Sequence, residues 1–431
     1  MDHRPEHLID RLARFADTKL SRRVAAGGIL GTAIAGLTGT LSAEARDRRV
    51  YTAQERIDLG LDLPHTTRVA PQARCREKRE ACTDSRPCCD GLACTNGVCK
   101  RDRVSSAGNP GDACSSSDGC SGDLVCQRGT CQCRQALCFV REWGGYGYGR
   151  SKFAFPYGVA VDQANGDVYV ADTGNNRIQR FTSRGGFITE WGELGSAQGE
   201  FFTPTGVAVS NNGAYVIDRD NARVQQFDAD GGFIRQWGSE GRGVGSGPIL
   251  FFLPSGIGVD ANGKVYVADT GNEQVQVFNA NGDRTNVMST GRGDLENQFR
   301  SPTSVTVLST VDFSGQITVA DFGNNRVQLW DTPDNSSAVR SVTATASSST
   351  LDRPFGVGTN FADFWYVADT FNNRVVAYDG TRNQYGFQVI GSAGSGSQNL
   401  SKPRGVAGIG SLVYVADTEN HKIKSWAIGD A

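Results

Sequence analysis

Histidine and methionine are scarce in this 431-residue chain, with four and two copies. From residue 139 onward one histidine remains, His421, at a variable turn position. A histidine-ligated zinc site is therefore excluded from that part. Neither charge is in excess: the net charge is −2, so no global basic field points to nucleic acid. No Ser-His-Asp or Cys-His nucleophile arrangement is present. Cysteine is missing before residue 75 and after residue 138.

All twelve cysteines therefore fall within residues 75–138. Dense cysteine in a short stretch reads as disulfide-stapled structure, which persists in oxidising compartments. A zinc module fits poorly, because the segment contains a Cys-Cys pair and no histidine.

An export segment agrees with that compartment. Val24–Leu41 is uncharged, follows Lys19, Arg22 and Arg23, and precedes Ala43-Glu44-Ala45. Basic flank, apolar core and small-residue site describe a signal peptide over residues 1–45. Ser21-Arg22-Arg23 resembles the bacterial twin-arginine export signal, although no bulky apolar residue follows the pair. The expected location is secreted or extracytoplasmic, with a membrane anchor only if the segment is retained. The Arg-rich stretch 46–74 reads as a flexible linker.

Residues 75–99 hold Cys75, Cys82, Cys88, Cys89, Cys94 and Cys99, spaced C-x6-C-x5-C-C-x4-C-x4-C. This resembles the knottin family, the inhibitor cystine knot, most specifically at Cys88-Cys89. The resemblance implies first–fourth, second–fifth and third–sixth pairing; sequence alone allows fifteen connectivities. After a linker at 100–113, residues 114–138 hold Cys114, Cys120, Cys126, Cys131, Cys133 and Cys138. They lack the Cys-Cys pair and read as a diverged relative. So small a chain buries too little apolar surface to fold unaided. A spacer is the expected role, with a protease inhibitor as the alternative.

Residues 139–431 repeat six times. Asp172, Asp218, Asp269, Asp321, Asp369 and Asp417 recur 46 to 52 residues apart. Each has Val two residues before, Asn three after, a β-branched residue six after and an aromatic nine after. Upstream stand Pro156, Pro204, Pro254, Pro302, Pro354 and Pro403, each followed two residues later by Gly, except for Ser304. Short Val/Ile/aromatic runs broken by Gly, Asn and Asp read as four strands per repeat.

The core P-x-G-V-A-V…V-Y-V-A-D-x-x-N-x-R-[VI]-x-x-F resembles the NHL-repeat family. The resemblance implies an all-β fold, a six-bladed β-propeller with four antiparallel strands per blade. The last repeat lacks its fourth strand. Phe139-Val140-Arg141-Glu142-Trp143-Gly144 matches Phe187–Gly192, so residues 139–144 are expected to close the ring.

The anchor aspartates end the second strands, where they can accept hydrogen bonds from turn N–H groups. They can also pair with the residue five positions on: Arg177, Arg223, Arg326, Arg374 or Lys422. The third repeat has Gln274 there and loses the charge. Sixfold recurrence argues for architecture, since one active site needs no six copies.

Chemistry is sought instead at the residues after each Pro, expected to ring the channel mouth: Tyr157, Thr205, Ser255, Thr303, Phe355 and Arg404. One arginine, two aromatics and three hydroxyls suit a polar or anionic ligand. The ring carries no acid, which weakens a lactonase-like calcium site. The expected function is a monomeric extracytoplasmic binding or scaffold module for a protein, peptide or glycan, without cofactor. The alternative is a secreted hydrolase or lyase, lactonase-like or amidating-lyase-like, with Ca2+ or another channel metal. Ubiquitin-ligase-type NHL proteins bind RNA or proteins, but their RING module is missing.

Overall fold

Gly-punctuated runs of Val, Ile and aromatics form six four-stranded antiparallel sheets in the computed structural model. It describes residues 92–95, 98–101, 109–110, 112–114, 120–133, 136–243, 247–289, 291–309, 314–331, 340–343, 350–360, 364–379 and 384–429. The signal segment, the 46–74 linker and most of the 75–99 module lie outside them. Of that module, Leu92–Thr95 and Val98–Arg101 form a hairpin with Cys94 opposite Cys99.

The six sheets are the blades of a six-bladed β-propeller. Blade 1 runs Pro156–Val161, Val168–Asp172, Arg177–Phe181 and Phe187–Trp191 from first to fourth strand. Blades 2 to 5 repeat this order. Blade 6 takes three strands from Val406–Ile409, Leu412–Asp417 and Lys422–Ile428. Its fourth is Leu137–Gly144, antiparallel to the third, with Trp426 opposite Phe139 and Lys422 opposite Gly144.

The second strands are buried along nearly their whole length, as expected of strands covered on both faces. The aromatic residues nine positions past each Asp fill the gaps between blades. Phe227, fully buried, meets Trp191 of blade 1 at 5.8 Å and Phe201 at 5.5 Å between ring centroids. Burying one such side chain contributes about 1.5–3 kcal/mol.

Close approach of neighbouring first strands explains the P-x-G glycine. A Cβ on Gly356 would lie 1.8 Å from the carbonyl oxygen of Arg404 in the next blade. Blade 4 tolerates Ser304, whose hydroxyl accepts the Val357 N–H at 3.3 Å.

The second cysteine cluster forms Cys114–Cys126, Cys120–Cys131 and Cys133–Cys138. This first–third, second–fourth, fifth–sixth order differs from the knot pairing that the first cluster's resemblance implies.

Candidate functional site

Each anchor Asp is fully buried. In blade 4, Asp321 Oδ1 accepts the Arg300 N–H at 2.7 Å. Its Oδ2 accepts from Asn324 Nδ2 at 2.8 Å, Arg326 Nε at 2.7 Å and Gln328 Nε2 at 3.0 Å. The amide donor is therefore not in the turn after the Asp, as the sequence suggests. It lies two residues before the Pro, at Ala154, Phe202, Phe252, Arg300, Asp352 and Ser401. The carboxylate thus ties the entry of the first strand to the second and third strands.

Arg177, Arg223, Arg326 and Arg374 each reach their Asp through Nε, at 2.8, 2.6, 2.7 and 2.7 Å. Blade 6 departs from the sequence expectation. Lys422 turns to Glu142 of the closing strand at 2.5 Å, and Lys424 reaches Asp417 at 2.8 Å. Lys424 stands seven residues past the Asp, at the position that glutamine holds in blades 1 to 4, and its ammonium takes the place of that amide. Blade 3 has no cation, and Gln274 and Gln276 serve Asp269 at 2.9 and 2.8 Å. Burial pushes all six carboxyls above the usual range. A cation opposes that push in every blade but the third.

The glutamine seven residues past the Asp, at Gln179, Gln225, Gln276 and Gln328, is part of this network. Its fourfold recurrence was readable in the sequence.

A second recurring contact joins the blades. The residue four past each Asp adopts the left-handed conformation: Asn176, Ala222, Glu273, Asn325, Asn373 and His421. So does the residue before each Pro. Asn176 Oδ1 accepts the Thr203 N–H of the next blade at 2.9 Å. Asn325 serves Arg353 at 2.8 Å, Asn373 serves Lys402 at 2.9 Å, and Glu273 serves Ser301. His421 Nδ1 serves Phe155 at 3.0 Å across the seam. Burial lowers the His421 pKa, against the pull of Glu419 and Asp417.

The structure brings Tyr157, Thr205, Ser255, Thr303, Phe355 and Arg404 to one central cavity. They lie inside the channel rather than at an open mouth, each at most 6% exposed. The reason is Arg404. Its guanidinium sits between Tyr157 and Phe355, 4.4 and 4.5 Å from their ring centroids. Such pairs are worth about 2 kcal/mol when desolvated. Two hydroxyls are also occupied: Thr205 donates to the Ser255 carbonyl at 2.8 Å and Thr303 to that of Phe355 at 2.7 Å. The remaining cavity is about 50 Å³, and Arg404 is the one charged side chain lining it. That volume holds on the order of a few waters, against roughly 300–1,000 Å³ for organic ligand pockets.

The face above the channel is more open. Each interblade loop is held to the turn after the second strand: Asn175 donates to Gly147 O at 2.9 Å, Asn420 to Gly394 O at 2.9 Å. At the seam Tyr146 and Tyr148 are 58% and 54% exposed, with their hydroxyls 3.2 Å apart. Tyr146 packs against His421 at 4.9 Å, and Phe155 packs against the same ring at 4.6 Å. On the same face, Arg353 and Lys402 each stand 4.6 Å from the Phe371 ring. Among the described residues, the one cluster of three metal-ligating side chains is Cys114, Cys120 and Cys131, all in disulfides.

Comparison with known proteins matches a model described as NHL repeat to residues 153–181, 203–227 and 253–278, in the first three blades. Protein brain tumor of Drosophila melanogaster is 42% identical over 60 residues, 14% of this chain. The match spans 6% of that protein's length. Virginiamycin B lyase from Staphylococcus aureus is similar at 16% identity and a TM-score of 0.42, over 70% of this chain and 90% of its own. A structural-genomics protein from Bacteroides thetaiotaomicron is similar at 17% and 0.48, over 72% and 80%. The chain is a six-bladed β-propeller that carries NHL repeats.

Proposed function

We propose that the protein is an extracytoplasmic binding module whose open face, around the seam of blades 5, 6 and 1, docks a protein or peptide. The carrying observation is the contrast between two places. The channel keeps about 50 Å³ beside Arg404. The seam displays Tyr146 and Tyr148, each more than half exposed, and the same face carries Arg353 and Lys402 over the Phe371 ring. Rigid aromatics and arginine are the residue types that concentrate binding energy at interfaces. The cations suit acidic side chains on the partner, and the tyrosines also suit stacking on a glycan. A catalytic metal has poor support in the channel, whose lining carries no carboxylate.

The test is equilibrium binding of the purified chain to a panel of Glu/Tyr-rich peptides and oligosaccharides. Tyr146→Ala/Tyr148→Ala should weaken any binder at least about tenfold, the loss of roughly 1.4 kcal/mol. Arg404→Lys, inside the channel, should not. The reverse pattern, or stoichiometric calcium whose removal abolishes a hydrolytic activity, would refute the reading.

A further inference from the structure

The outermost strand of blade 6 has a problem that blade 1 does not. In blade 1 the fourth strand follows the third by a turn, from Phe181 to Phe187. In blade 6 the fourth strand, Leu137–Gly144, pairs with its neighbour Lys422–Ile428 but no turn connects the two. The cysteine-rich segment before it touches the ring at that place.

Arg141 of the closing strand is 8% exposed. Its Nη2 donates to Asn109 Oδ1 at 2.6 Å and Ser121 Oγ at 2.5 Å. Its Nη1 donates to the Arg184 carbonyl of blade 1 at 3.0 Å. Asp112 pairs with the Arg184 side chain at 2.6 Å. On the other side, the Asp123 N–H donates to Phe139 O at 2.8 Å. Asp123 Oδ2 accepts the Phe139 N–H at 3.1 Å and Gln398 Nε2, from the loop entering blade 6, at 3.1 Å. Leu124, Cys120, Cys131 and Cys138 pack on Val140 and Ala427. The Cys133–Cys138 bond ties the closing strand, which contains Cys138, to the segment just before it.

We infer that this cystine segment is a clasp that fastens blade 6 to blade 1, and that a dithiol reductant opens it at Cys133–Cys138. Cys138 is 1% exposed and Cys133 partly exposed, so the reductant's thiolate attacks the Cys133 sulfur. Cys138 leaves as a thiolate and takes a proton. The reductant's second thiol then releases Cys133 as a thiol. Two protein thiols and one oxidised reductant result, a balanced two-electron, two-proton exchange. Losing the cross-link frees the strand that the segment holds, and exposes the Lys422–Ile428 edge.

The experiment is hydrogen exchange on the full chain, oxidised, treated with dithiothreitol, and as Cys133→Ser/Cys138→Ser. Peptides covering 137–144 and 422–428 should exchange at least about tenfold faster in both reduced and variant protein. Peptides from the second and third strands of blade 2, residues 213–227, should keep their rate. Unchanged exchange at the seam overturns the proposal. Uniform acceleration across all blades also overturns it, because it assigns the cystines to global stability. Dithiothreitol titration of the folded wild type reads the same quantity if the double variant does not fold.

Discussion

His421 Nδ1 accepts the backbone N–H of Phe155 at 3.0 Å, and so the last blade holds the first through an imidazole. At the same position three other blades use asparagine and one uses glutamate. The shared requirement is an acceptor on a residue that tolerates the left-handed backbone. At the seam alone, that acceptor is an imidazole, whose pKa burial lowers.

The sign of the pH effect follows. Burial lowers the folded His421 pKa below its ordinary value. Below about 6.5 the unfolded chain then binds the proton more readily than the folded one. The contribution is complete above that pH and is lost as pH falls toward the folded pKa. Protonation also removes the lone pair that holds Phe155. Thermal midpoints of wild type should fall between pH 7.5 and 5.5 more steeply than those of His421→Asn, which keeps an acceptor. Equal slopes would remove His421 from this role.

Blade 2 lacks the contact, because Ala222 stands in the left-handed conformation with no acceptor to offer Leu253. Ala222→Asn supplies the acceptor and a residue suited to that backbone. Stability should rise by about 0.5–1.5 kcal/mol, the net value of one hydrogen bond. Chemical denaturation checks it; a loss of stability would show that the pocket lacks room.

Asp321 and Asp269 are equally buried but differ in partner. Asp321→Asn leaves the Arg326 guanidinium stranded with carbonyls alone, at a cost of about 3–5 kcal/mol. Asp269→Asn strands no cation, since Gln274 and Gln276 are its side-chain neighbours with Asn272. The first substitution should therefore cost at least about 2 kcal/mol more than the second. Equal urea midpoints would contradict this.

Removing residues 139–144 takes away the outer strand of blade 6 and leaves Lys422–Ile428 as a bare edge. The shortened protein should aggregate on refolding and melt earlier. Light scattering and calorimetry decide it; a monomeric product with the wild-type melting curve would count against the seam's importance.

The blade count was legible because Asp and Asn recur at fixed offsets as the same letters, with an aromatic of one kind or another nine residues past each Asp. The position of the channel ring was legible from the Pro register. Its closure was not, since that depends on the path of the Arg404 side chain between two rings. The interblade contact at Asn176, Glu273 and His421 was not legible for a different reason. These residues share an acceptor and a backbone conformation, not a letter. The repeat register pairs Lys422 with Asp417, but in blade 6 the fourth strand comes from elsewhere in the chain and brings Glu142 to Lys422 instead.

Glu142 and Lys422 are 280 residues apart in sequence and in contact at the seam. The entropy of closing so long a loop grows only logarithmically with its length, but the search for the partner is slow. Blades 1 to 5 can each condense as a local meander, whereas blade 6 waits for an encounter between distant segments. The propeller therefore has a built-in last step in assembly. The same place is its mechanical fuse: tension across the ring shears one strand pair there, while elsewhere it must unravel whole hairpins.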